Sequence, residues 1–177
     1  MPFRLHRMAS NDELAGQSRA HIARGLSLLA LCLAAAVAGC ERFGTSAQGL
    51  LRADDPQVLA LGKRVYEQHC AACHGARLEG QPDWRVRDAA GLLPAPPHDA
   101  SGHTWHHPDA VLFEITKYGV ARAANLKDYK SAMPAYENVL DDAEIVAVLS
   151  WIKAQWPAEI RKQQEAVDAA ARARGGK

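Results

Sequence analysis

The chain has 177 residues, a net charge of +1 at neutral pH from 21 Lys and Arg against 20 Asp and Glu, and 48% hydrophobic residues. The length suits one domain, and the charge balance excludes a basic nucleic-acid footprint. The four cysteines, at positions 32, 40, 70 and 73, occupy separate settings that leave no pair over for a structural disulfide.

Residues 1–25 carry Arg4, Arg7, Arg19 and Arg24 against Asp12 and Glu13, and an apolar run follows from Leu26 to Gly39. A basic stretch followed by an apolar one is the anatomy of an export signal. The run is shorter than the roughly 20 apolar residues a membrane span needs. Its end, Val37-Ala38-Gly39-Cys40, resembles a bacterial lipobox, with small residues beside the scissile bond and a thiol placed to receive lipid. Ordinary signal cleavage nearby is the alternative. The expectation is a lipoprotein signal peptide over 1–39, lipid attachment at Cys40 and a polar tether over 40–54. The protein would then be lipid-anchored to a membrane of the bacterial cell envelope, on its periplasmic side.

A first helix is expected to open at Asp55-Pro56, with Asp55 as N-cap and Pro56 where its missing N–H costs nothing. Val58, Leu61, Gly62, Val65 and Tyr66 then fall on one face up to Cys70. Residues 75–107 are rich in Gly and Pro and read as a long loop. A second helix should run from Pro108-Asp109 to Gly119, with Val111, Leu112, Ile115 and Tyr118 inward. After irregular residues 120–140, Asp141-Asp142-Ala143-Glu144 reads as an Asp-headed capping box. That helix continues through Ile145, Val148, Leu149, Trp151 and Ile152 to Trp156, and Pro157 interrupts it. Residues 158–177, polar and Ala-rich, read as a solvated helical extension of a core domain spanning 55–157.

Cys70-Ala71-Ala72-Cys73-His74 fits C-x-x-C-H, the attachment signature of haem c. Two thiols one helical turn apart reach the two vinyl groups of one covalent haem, and the adjacent imidazole of His74 lies under the iron. A thioredoxin-type pair would follow a strand, and a structural zinc would want a second ligand pair. Neither context is present. Beyond residue 40 the one methionine is Met133, in a Met-Pro turn from which a thioether could reach the distal face of the iron. Core filling is the other use of a Met.

Together these residues resemble a class I, mono-haem cytochrome c over roughly 55–156. Gly62-x-x-x-Tyr66 is similar to the Gly/aromatic pair that in this family crosses the C-terminal helix, with Trp151 at the family's aromatic position. The resemblance implies an all-α, cytochrome c-like fold of three to four helices around the haem. It also implies a proline carbonyl hydrogen-bonded to the proximal His. Pro94, Pro96 and Pro97 are candidates, of which Pro96 is favoured, in a loop more Pro-rich than the family's simple Gly-Pro.

His98, His103, His106 and His107 crowd one loop with Trp105. Three readings stand: a haem propionate hydrogen-bonded by Trp105 or a His, solvated polar residues, or a second metal site such as copper. A bis-His haem is a further variant. His/Met ligation implies an electron carrier at moderately positive potential rather than an enzyme. It would exchange electrons with redox partner proteins, be held to the membrane through its N-terminal lipid, and have no nucleic-acid partner. The enzymatic alternative, a peroxidase-like protein, requires Met133 to leave the iron open. A copper-handling module is the third reading.

Overall fold

Asp55 begins the first helix, α1 (Pro56–His69), by accepting hydrogen bonds from the N–H groups of Gln57 and Val58, with proline in the first turn. The computed structural model describes residues 49–175, so the expected signal peptide and Cys40 lie outside the described residues. The helices that follow are α2 (Ala71–His74), α3 (Asp109–Tyr118), α4 (Val120–Ala123), α5 (Asp142–Ala154) and α6 (Ala158–Ala173), with a 3-10 turn at Thr104–His106. The fold is all-α, with no strand among the described residues. No described helix is long and apolar enough to cross a membrane.

α5 carries a complete capping box. Glu144 N–H donates to Asp141 Oδ1 at 2.8 Å, and Asp141 N–H donates to Glu144 Oε2 at 2.9 Å. Two of the orphan donors at the helix start are thereby satisfied. At the end of α3, Gly119 takes φ +82°, which glycine adopts without penalty.

The core lies where α1 crosses α5. A Cβ on Gly62 would collide with the Ala147 carbonyl and stand 2.8 Å from Trp151 Cβ, so the close approach requires glycine. Tyr66 and Trp151 lock the crossing with ring centroids 4.8 Å apart and planes tilted by 40°. Val65, Tyr66, Leu112, Ile145, Val148, Leu149, Ile152 and Trp156 fill the buried centre. On α3 the buried residues are Asp109, Leu112 and Thr116, while Val111, Ile115 and Tyr118 are half-buried. The inward face is therefore rotated from the apolar one, because Asp109 and Thr116 bury with their own partners.

Two segments expected to be solvated are packed on the domain. Leu51 and Ala53 are buried, the Leu51 N–H donates to Asp109 Oδ2 at 3.0 Å, and the Arg52 N–H donates to Ser150 Oγ at 2.9 Å. α6 buries Gln164, Asp168 and Ala171. Gln164 Nε2 donates to Asp109 Oδ1 at 2.7 Å, the Asp109 N–H donates to Asp168 Oδ1 at 3.0 Å, and Arg172 pairs with Asp168. Lys153 Nζ stands 3.8 Å from Asp109 Oδ1. The buried face of α6 is mostly polar, so it shows no apolar stripe that periodicity could detect.

Candidate functional site

α1 ends at His69, and the chain turns at Cys70 (φ −118°, ψ −39°) into the short α2 that carries Cys73 and His74. Cys70 is half-buried against the core, Cys73 is exposed, and both are free thiols. Burial, helped by the neighbouring Cys73, pushes the Cys70 thiol up to about 11. His74 is buried, and its Nδ1 lies 2.8 Å from the Pro96 carbonyl oxygen. A carbonyl can only accept, so Nδ1 carries the proton and Nε2 keeps its lone pair. Burial holds His74 below the ordinary imidazole range, with the Pro96 bond opposing it, so the ring is neutral at neutral pH.

The Pro-rich loop is held by its own backbone. Leu78 sits at φ +70°, an uncommon conformation for a residue with a Cβ, and its carbonyl accepts from the His98 N–H at 2.8 Å and the Asp99 N–H at 3.3 Å. The Gly80 N–H donates to the His74 carbonyl at 2.8 Å, and Tyr66 OH donates to the Gly75 carbonyl at 2.7 Å. Gly80 and Gly102 close on the Pro96-Pro97 backbone. A Cβ on Gly80 would stand 2.8 Å from Pro97 Cδ, and one on Gly102 would stand 2.8 Å from the Pro97 carbonyl carbon. Of the three candidate prolines, Pro96 is the one whose carbonyl meets His74. These internal bonds let a stretch this long exist without regular structure.

Trp105 is half-buried against the core, and its indole N–H is buried with no hydrogen-bond partner. A buried orphan donor is costly and calls for a partner. Each of the four loop histidines packs against another ring. His98 stacks on His74 at 4.0 Å between centroids, His103 stacks on Trp84 at 5.2 Å, and His106 stacks on Trp105 at 3.7 Å. His107 meets His103 edge-on at 5.5 Å. Among the described residues no three His, Cys, Asp or Glu side chains come together as a metal array. Without such an array the copper reading of this loop has no support among the described residues. Burial lowers His98, His103 and His107 below the ordinary imidazole range.

Met133 is half-buried in the loop between α4 and α5, with its N–H donating to Ser131 Oγ at 3.1 Å. Three residues on, Tyr136 ties this loop to two helices. Its N–H donates to the Thr116 and Lys117 carbonyls of α3, and its OH donates to the His69 carbonyl beside Cys70 at 2.8 Å. Sequence reasoning missed this role of Tyr136.

Two free thiols in one turn, a neutral imidazole with a free Nε2 and an unpartnered indole donor fit a covalently held haem. The family model for Cytochrome c matches residues 59–156. Cytochrome c6 of Tetradesmus obliquus is 32% identical over 95 residues, which is 53% of this chain and 86% of that protein. The Cbb3-type cytochrome c oxidase subunit CcoP of Azospirillum sp. (strain B510) is 32% identical over 103 residues, 57% of this chain but only 30% of the subunit. No solved structure matches significantly.

Proposed function

The chain belongs to the cytochrome c family, and on that premise we propose that it is a lipid-anchored, periplasmic electron carrier with His74 and Met133 as axial ligands. Family membership itself makes it a class I c-type cytochrome that transfers electrons, is not an enzyme and holds one covalent haem c. The observation that carries the site reading is His74: buried, neutral, and turned by the Pro96 carbonyl so that Nε2 is free one residue after Cys73. When bound, haem c supplies a reversible Fe(III)/Fe(II) couple, and His/Met ligation raises its potential.

Cys70 and Cys73 would form the thioethers, and their spacing from the N-cap of α2 to its third residue would set where His74 presents its nitrogen. Pro96 holds the imidazole proton on Nδ1 and so keeps the ring in the ligating tautomer. The buried indole N–H of Trp105, which has no partner among the described residues, would donate to a haem propionate. Tyr136 supports the Met133 reading, because its bond to His69 ties the methionine loop to the turn before Cys70.

Cleavage after residue 39 would leave Cys40 to carry lipid and the residues that follow it to tether a domain onto which Leu51, Ala53 and α6 are packed. An anchored domain meets membrane-bound donor and acceptor proteins at raised effective concentration. The oxidase-subunit relative supports partners of the redox-protein class.

Potentiometric titration of the membrane-released holoprotein tests the ligand pair. Wild type should show a single one-electron midpoint that falls in Met133→His, since bis-His ligation lowers the potential. An unchanged midpoint would remove Met133 from the iron. Mass analysis of the mature N-terminus checks Cys40 separately, with a diacylated cysteine as the expected result.

A further inference from the structure

His98 is one of four loop histidines that the proposed function does not use, and it is held by hydrogen bonds to three other segments. Its ring lies over that of His74 with centroids 4.0 Å apart and planes 22° from parallel. Each of its polar backbone groups is held by a different segment. The N–H donates to the Leu78 carbonyl at 2.8 Å, and the carbonyl accepts from Trp156 Nε1 at 2.7 Å. Its Nδ1 shares a 2.8 Å hydrogen bond with Thr104 Oγ1, on a residue that is itself buried.

Solvated loop histidines are not built this way. Leu78 accepts a left-handed backbone to offer its carbonyl, and Trp156 spends its buried indole donor on His98. Strain and buried donors collected on one residue mark a position that the fold over-determines. The two backbone bonds hold the main chain of His98 in place, and the Thr104 bond to Nδ1 holds the ring in the plane that faces His74. A polar aromatic ring is not needed to fill space there, because a leucine would do that without a hydrogen bond to Thr104.

We propose that His98 is a positioning residue for the proximal ligand: its stacked imidazole sets the rotation of the His74 ring about the ligand bond and lowers the midpoint potential of the bound haem. The proposal rests on His74 being an axial ligand. The Pro96 bond fixes one edge of the His74 ring, and the His98 stack fixes the face, so the two together leave no free rotation. The electron-rich face of a neutral ring also favours positive charge on the ring it covers. His74 is the more positive when its iron is ferric, so the stack favours the oxidised state.

The test compares the full-length holoproteins of wild type, His98→Leu, His98→Phe and Thr104→Val by potentiometric titration and by low-temperature EPR of the ferric form. The EPR g-anisotropy reports the orientation of the axial imidazole plane. The expected result is a higher midpoint and altered g-anisotropy in His98→Leu, with His98→Phe restored towards wild type because it keeps the aromatic face. Thr104→Val should broaden the g-anisotropy by freeing the His98 ring. A purely structural role would lower the unfolding midpoint in His98→Leu and leave the potential and g-anisotropy at wild-type values. That outcome overturns the proposal alone. A wild-type EPR spectrum without axial imidazole overturns the His74 assignment and this proposal with it.

Discussion

The loop around His74 and the cluster around Asp109 both join residues far apart in the chain, and they do so with opposite chemistry. Around His74 the partners are neutral: backbone carbonyls of Pro96, Leu78 and His98, the Thr104 hydroxyl and the Trp156 indole donor. Around Asp109 they are charged: Lys153, Asp168 and Arg172, with Gln164 and the Leu51 N–H completing the contacts. Neutral bonds orient rings and leave the local field nearly untouched. Paired charges hold segments together but make each partner costly to lose. Changes around His74 should therefore appear in spectra and potential, and changes around Asp109 in stability.

The strongest attempt to break that division is Asp109→Ala. It strands Lys153, the Leu51 N–H and Gln164, and should cost about 3–5 kcal/mol in urea unfolding. The visible spectrum of the folded protein should not move. A shifted spectrum under native conditions would show that the two regions are coupled.

Gly62→Val comes next, at the α1–α5 crossing between the two regions. Its side chain has no room beside Ala147 and Trp151, and a loss of about 1–3 kcal/mol is expected from overpacking. Wild-type stability in this variant would mean that the helices separate without cost.

Why some features were legible in the sequence and others were not follows from range. C-x-x-C-H, the Asp55 and Asp141 caps, Gly119 and Gly62 act over a turn or two, or through a contact only glycine permits. Spacing reveals such features. The Pro96 carbonyl could be narrowed to three prolines, because the chemistry needs a carbonyl while the loop path decides which one. Tyr136 on His69, His98 on His74 and Gln164 on Asp109 are polar or stacked pairs separated by long stretches of chain. Nothing in hydrophobic period announces them. α6 read as solvated for the same reason: its buried face carries Gln164 and Asp168.

Tyr136→Phe sharpens the comparison with a smaller effect. It removes one neutral hydrogen bond to the His69 carbonyl, about 1 kcal/mol, and should let the Met133 loop detach at lower temperature than in wild type. Variable-temperature absorbance of the oxidised protein reads this, and identical melting of the iron–thioether band would contradict it.

The smallest effect is a graded one with pH. His98, His103 and His107 are held below 6.5, with burial the largest cause in each. As pH falls through 6.5 the unfolded chain takes up protons that the folded imidazoles refuse, so stability is full above that point and declines below it. Urea midpoints measured from pH 7.5 down to pH 5 should fall steadily. A midpoint that rose over this range would mean these rings are charged in the fold.

The most direct test of His74 and Met133 as the ligand pair is the near-red absorption of the oxidised protein at neutral pH. The weak charge-transfer band of thioether-bound ferric iron should be present in wild type and absent in Met133→Ala, with the covalent haem retained through Cys70 and Cys73. A wild-type spectrum without that band, or a Met133→Ala spectrum that keeps it, would contradict the assignment.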